Sequence, residues 1–261
     1  MLIEKRIHLE TIGSTNSYAR QLLASGERLP GMTLIDADDQ TAGRGQAGNS
    51  WETKKDCNLM FTIVCHPTFL PPARQFNLSK AFALGLQQVL SAYADDIAIK
   101  WPNDIYWCDM KISGTLIECD LTGKAISNCI IGCGININQK EFVSDAPNPV
   151  SLSMITGKEY DREQILDEVV ERFLYFYDLL EKGHEEMITA LYMRHLYRGT
   201  GIHLFQDHAG IFEAEIADIE PTGHLVLRKN PCGTLLRYEF KEVRFVLNHA
   251  CCDGVSSSPR Q

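Results

Sequence analysis

The hydrophobic pattern changes period once, near residue 198, and this change constrains the fold more than any other feature of the chain. Before it, segments with apolar residues at helical spacing alternate with short apolar runs, as expected for helices packed on a sheet. After it only short strand-like runs remain, at 202–205, 211–219, 224–229, 234–240 and 242–247. Pro221-Thr222-Gly223 and Asn230-Pro231-Cys232-Gly233 stand between such runs as turn signals. Regularly spaced short strands predict a small β-barrel. The expected organisation is a large domain over 1–197, a small barrel over 198–249 and a disordered tail over 250–261.

In the large domain the first helix is expected over 14–25, with Ser14 or Thr15 as its cap and Gly26 at its end. A second helix is expected over 76–93, where Leu78, Phe82, Leu86 and Val89 recur at helical spacing. Asp161 opens a long third helix, with Gln164 as its capping-box partner, a stripe of Ile165, Val169, Phe173, Tyr177 and Leu180, and Gly183 as its stop. A fourth follows over 184–197. Strands are expected at 32–36, 58–65, 97–101, 105–107, 112–119 and 125–137. The polar segment 37–57 joins the first two strands, and connections of that length are usually functional or disordered.

The chain has 261 residues, 34 acidic and 25 basic side chains, and a formal net charge of −9. That balance argues against a general nucleic-acid binder, which carries a basic face. No apolar run approaches the roughly 20 residues of a membrane span. The opening MLIEKRIHLE lacks a secretory apolar region, so the nine cysteines read as reduced thiols of a cytosolic protein. There is no C-x-x-C pair, and His203 and His208 have no cysteine pair beside them, so no structural metal site is expected.

Residues 43–48, Gly-Arg-Gly-Gln-Ala-Gly, spell the dinucleotide-binding pattern G-x-G-x-x-G. That pattern needs a strand running directly into it, a helix leaving it and an acidic residue about 20 positions on. Here Asp38, Asp39, Gln40, Thr41 and Ala42 intervene after the strand, the exit has no apolar helical stripe, and no Asp or Glu occurs between Asp56 and Asp95. A nicotinamide-dependent oxidoreductase is therefore rejected. Glycines around one arginine suit an anion instead, with backbone N–H groups and the Arg44 fork as donors and Trp51 as a flat face.

Two further clusters carry chemistry. In Lys100-Trp101-Pro102-Asn103-Asp104 the proline forces a turn at a strand end, and Lys111 follows at the mouth of an apolar strand as a candidate cation for an acid group. In Gly132-Cys133-Gly134-Ile135-Asn136-Ile137-Asn138 paired glycines allow either a close approach to a ligand or a β-bulge.

In this order the clusters resemble biotin protein ligases, whose motifs run G-R-G-R-x-G-R-x-W, K-W-P-N-D, K-x-x-G-I-L-x-E and G-x-G-I-N-x-N. The matches are Gly43–Trp51, Lys100–Asp104, Lys111–Glu118 and Gly132–Asn138, with Ser14-Thr15-Asn16 matching the family's S-T-N. The resemblance covers about residues 8–247. It implies an α+β fold: a mixed sheet flanked by helices, like class II aminoacyl-tRNA synthetases, with a small SH3-like C-terminal β-barrel. It also implies that biotin and ATP, with Mg²⁺, form biotinyl-5′-adenylate, and that a lysine of a biotin carboxyl carrier protein or domain then takes the biotinyl group.

By the same resemblance Lys111, Arg44 and Asp104 are the catalytic residues. Ser14, Thr15, Asn16, Gln40, Gly43, Gly45, Lys111 and Gly114 hold biotin. Arg44, Gln46, Trp51, Lys100, Asn103 and Asn136 hold the nucleotide. Asp104 either binds Mg²⁺ or orients the attacking amine. Gln46 and Asn49 stand where the family usually has arginine, so two cations are missing from the loop. Lipoate–protein ligases share the fold and are the alternative. Some family members are also repressors with an N-terminal helix-turn-helix, for which the seven residues before His8 leave no room. A cytoplasmic monomer or homodimer, with no nucleic-acid or membrane partner, is expected.

Overall fold

The computed structural model describes residues 2–246 apart from 124, 145 and 147. The tail expected over 250–261 and the end of the strand expected over 242–247 lie outside the described residues. A seven-stranded sheet has the order β1-β2-β3-β7-β6-β5-β4, formed by β1 (Lys5–Ile12), β2 (Met32–Gln40), β3 (Leu59–Cys65), β4 (Ile97–Lys100), β5 (Asp104–Trp107), β6 (Met110–Thr122) and β7 (Ala125–Ile135). It is mixed: β1 and β2 are parallel, and every other neighbouring pair is antiparallel.

Helices α2 (Phe76–Leu90), α4 (Arg162–Glu181) and α5 (Glu185–Arg194) pack as one layer, and the apolar stripes of α2 and α4 close the main core against the sheet. The opposite face is covered only in part, by α1 (Thr15–Ala24) resting on Ile35, Val64 and Ile130. All seven residues of β3 are buried because both its faces are covered. The part of this second face that α1 leaves open holds the cavity described below.

Strand β1 was not expected. Its sequence KRIHLETI alternates charged with apolar residues, and as an edge strand it keeps its outward row half in water. Asp36 on β2 fixes that row, accepting from the Arg6 guanidinium at 2.8 Å and lying 2.6 Å from His8 Nδ1. The expected cap at Asp161 forms, its carboxylate accepting from the Glu163 and Gln164 N–H groups. The reciprocal half of the capping box does not, because the Gln164 side chain donates to Glu168 at 2.9 Å. A short helix α3 (Leu152–Thr156) was also missed; Ser151 caps it and Gly157, at φ 73°, ends it.

The C-terminal strands form an antiparallel sheet in the order β11-β10-β9-β8-β12, made of β8 (His203–Asp207), β9 (Gly210–Ile219), β10 (Leu225–Lys229), β11 (Leu235–Tyr238) and β12 (Arg244–Phe245). It is joined to the large sheet at the edge strand β4. Ile99 N–H donates to His195 O and Tyr197 N–H donates to Ile99 O, each at 2.8 Å, so the connecting segment pairs the open edge. Trp101 Nε1–H donates to Gly223 O at 2.8 Å, and the Trp101 ring meets Phe240 edge-on. No helix among the described residues is long and apolar enough to cross a membrane.

Lys100 lies at this junction. Its ammonium donates to Tyr106 Oη at 2.8 Å and sits 4.3 Å from the centre of that ring. Burial moves it down from the ordinary 10.5 to about 8. Between those values the unfolded chain holds a proton that the folded chain has released, so this group makes the fold more stable as pH rises from about 8 to 10.5. Denaturant unfolding of the parent and of Lys100→Met should therefore diverge in favour of the parent across that window. A constant difference would contradict this environment for Lys100.

Candidate active site

A cavity of about 580 Å³ opens where the N-terminus of α1, the 41–52 loop and the centres of β6 and β7 converge. Phe142, Ser144, Ala146, Asn148 and Pro149, with Phe240 from the C-terminal part of the chain, complete its rim. Of the residues expected at the site, all but Gly43, Lys100 and Asn103 line it.

One end is neutral and polar. Ser14 is extended, at φ −160°, and the helix starts at Thr15, so Ser14, Thr15 and Asn16 meet the sheet where the chain turns. All three are buried. The Thr15 N–H and hydroxyl both point to Gln40 Oε1, at 2.8 and 3.0 Å. Asn16 Nδ2 donates to Glu118 Oε2 at 3.2 Å and to Leu116 O at 3.3 Å. Only glycine fits beneath it: a Cβ at Gly132 would lie 2.0 Å from Asn16 Oδ1.

The glycine-rich loop closes on itself. Trp51 N–H donates to Gly43 O at 2.9 Å, and Gly45 N–H donates to Asn49 O at 2.6 Å. A Cβ at Gly43 would meet Trp51 O at 2.5 Å, so Gly43 serves the close pairing of the loop and stands behind the cavity wall. The Trp51 ring lies against Gly134, whose added Cβ would be 2.3 Å from Trp51 Cε2. Gln46 Nε2 donates to Asn103 Oδ1 at 2.9 Å, and Asn103 Nδ2 donates to Thr115 O at 3.0 Å. Asn103 is thus a buried brace that ties the loop to β6, and neutral Gln46 holds the loop down without charge.

The other end is charged. Lys111 Nζ pairs with Asp104 Oδ2 at 2.8 Å and lies 5.6 Å from the centre of the Trp51 ring. Its backbone is clamped between Asn148 O, which accepts from Lys111 N–H, and Val150 N–H, which donates to Lys111 O. Arg44 is half exposed and approaches Glu118 Oε1 at 3.5 Å. Partial burial would raise the Glu52 carboxyl, but hydrogen bonds from Ser144 and Val143 outweigh it and hold the group below its usual value. Glu52 thereby pins the rim segment. Burial pushes the Cys133 thiol up to about 12, which leaves it protonated and a poor nucleophile. Lys100 points to Tyr106 and Phe245 and does not reach the wall.

Trp51 Nε1, Thr115 Oγ1 and Asn136 Oδ1 are buried, and none has a hydrogen-bond partner among the described residues. All three belong to cavity-lining residues. Buried polar atoms are normally satisfied, so these donors and acceptors fit a ligand that supplies the missing bonds. The sequence reading missed Thr115, Asn148 and Phe240 as wall residues. Thr115 carries a weak signal, since it lies inside the Lys111–Glu118 motif; the other two carry none.

The Biotin/lipoate A/B protein ligase family pattern matches residues 9–136. The biotin–acetyl-CoA-carboxylase ligase of Paracoccus denitrificans is 32% identical over 231 residues, covering 84% of this chain and 92% of that protein. The bifunctional ligase/repressor BirA of Bacillus spizizenii is 31% identical over 189 residues, covering 70% of this chain. The alignment takes in 54% of BirA, so the chain spans about half the length of such relatives. The biotin protein ligase from Aquifex aeolicus, solved with biotin and ATP, superposes with a TM-score of 0.77. The match covers 94% of this chain and 100% of that one at 22% identity, and so speaks for the fold alone. Nearly the whole of the Paracoccus ligase is matched, and its family's motifs meet here in one cavity: the chain belongs to the biotin protein ligases of the biotin/lipoate A/B protein ligase family.

Proposed function

We propose that this chain joins biotin to ATP as biotinyl-5′-adenylate and then transfers the biotinyl group to a lysine of a biotin carboxyl carrier domain. The observation that carries the reading is one cavity with a polar end at Ser14–Gln40, Lys111 beside the Trp51 ring at the other, and Arg44 on the wall near the Glu118 carboxylate that Asn16 also meets. A ureido ring is neutral and needs neutral partners, whereas a carboxylate and a triphosphate are both anionic and repel.

In the first step a carboxylate oxygen attacks the α-phosphate and pyrophosphate leaves. Lys111 can exchange Asp104 for the incoming anions, and Arg44 adds a fork for phosphate oxygens; both lower the repulsion where charge develops. In the second step a lysine amine attacks the acyl carbon, AMP leaves, and the amine loses a proton. Asp104, freed from Lys111, is the carboxylate placed to orient that amine. Among the described residues no group of three or more His, Cys, Asp or Glu lies together as a metal cage. Mg²⁺ needs only one or two carboxylates when phosphates and water supply the rest. Asp104 would be the residue to hold such an ion in the first step, before the amine arrives, and the ion would supply neutralisation of phosphate charge.

The same reading takes the large sheet as class II synthetase-like over 1–197 and the C-terminal sheet as an SH3-like barrel over 198–249, acting in the cytoplasm as a monomer or homodimer. Its acidic net charge of −9 favours a protein acceptor and no nucleic-acid partner. The test is pyrophosphate release from ATP with biotin or with lipoate. Release with biotin is expected, followed by labelling of an added carrier domain. Faster release with lipoate would overturn the choice of acid.

A further inference from the structure

We propose that Thr62 is a positioning residue that sets the hydrogen-bonding sense of the acid-recognising end of the cavity; this rests on the biotin ligase reading above. Thr62 is the one polar residue in the middle of β3 (LMFTIVC), with none of its surface exposed. It pairs with Ile35 on one neighbouring strand and Gly132 on the other. As a β-branched residue in a buried strand it attracts no notice in the sequence. Its hydroxyl, however, lies 2.6 Å from Asn16 Oδ1 and 2.8 Å from Thr15 Oγ1, directly under the Ser14-Thr15-Asn16 turn.

A hydroxyl has one proton to give and two lone pairs to offer. Asn16 Nδ2 is committed to the Glu118 carboxylate and the Leu116 carbonyl, which only accept. The amide is therefore oriented with Oδ1 toward Thr62, and Oδ1 can take only a donor. The Thr62 proton goes to Asn16, and the Thr62 oxygen is left to accept from Thr15. The Thr15 hydroxyl proton then has only inward destinations, Thr62 Oγ1 at 2.8 Å and Gln40 Oε1 at 3.0 Å. Thr62 is the nearer of the two, so it draws that proton inward and leaves Thr15 presenting a lone pair outward, while its own proton holds Asn16. Without Thr62, Asn16 Oδ1 is a buried acceptor with no donor and the turn loses its orientation. An outward acceptor suits a ring carrying N–H donors, as a ureido ring does, and offers nothing to a dithiolane ring. Gly132 makes the arrangement possible, since any side chain there would displace Asn16.

Thr62→Val keeps the shape and β-branching and deletes the hydroxyl. It should raise the KM for biotin about tenfold, while kcat and the KM for ATP change by less than about twofold. Thr62→Ser should restore the biotin KM. Thr62→Ala, with less bulk, should reproduce the Val effect on biotin, and thermal unfolding of each variant reports whether the fold is intact. An unchanged biotin KM in the Val and Ala variants overturns the inference, as does an equal rise in both KM values or a Ser variant that does not recover. If the parent itself releases no pyrophosphate with biotin, the ligase reading fails. If the parent is active and Thr62→Val matches it, only the role of Thr62 fails.

Discussion

Lys111→Ala is expected to slow pyrophosphate release from ATP and biotin by about 10²–10³-fold, the usual loss when a positioned donor at developing charge is removed. Lys111 is the cation held deepest at the charged end, paired with Asp104 at 2.8 Å and held near the Trp51 ring. Arg44, the other cation on the wall, is more exposed and leans toward Glu118. It is poorly placed to substitute. The fold should survive, because the contacts that anchor this position are backbone bonds to Asn148 and Val150, which alanine keeps. Pyrophosphate release and thermal unfolding, measured on the same preparation, separate the two effects. A variant that makes adenylate at the parent rate would remove Lys111 from the chemistry.

Two glycine substitutions should split the site into its halves. Gly134→Ala puts a methyl 2.3 Å from Trp51 Cε2, so the ring must leave the strand. Base–aromatic stacking is worth about 1–3 kcal/mol, so the KM for ATP should rise roughly 5- to 150-fold. Gly132→Ala drives a methyl into Asn16 Oδ1, 2.0 Å away, and should raise the KM for biotin instead. Neither glycine is at positive φ, so alanine strains no backbone at either site, and both proteins should fold. Kinetics with each substrate varied in turn distinguishes them. If either variant raises both constants equally, the division into an acid end and a nucleotide end is wrong.

Those glycines also show where sequence reading stopped. The G-C-G-I-N spacing left a bulge and a close approach both open for Gly132 and Gly134, with the bulge favoured for the cluster taken alone. The structure resolves this through Asn16 and Trp51, which are remote in sequence and rest on them. Lys100 and Lys111 both read as cations at strand ends. One entered the cavity and the other was drawn against Tyr106 and Phe245, because the C-terminal sheet docks on the β4 edge. Capping shows the same limit at short range: Asp161 took the expected backbone donors, while Gln164 found a competing acceptor in Glu168 one turn on.

By itself the sequence determined most of the strand and helix segments, though not β1 or α3, the change of architecture near residue 198, and the clusters that converge on the site. Each of these depends on periodicity, turn chemistry or caps acting over a few neighbouring residues. Tertiary structure alone decided β1, which exists only by pairing with β2, and the part of the cavity rim formed by Phe142, Ser144, Asn148 and Phe240. It also decided which polar side chains face a ligand and which brace the wall. Asn16 meets Glu118 across 102 positions and Trp101 meets Gly223 across 122. Such contacts form only when the sheets and helices pack, because a buried donor must find its acceptor wherever the fold brings one within reach.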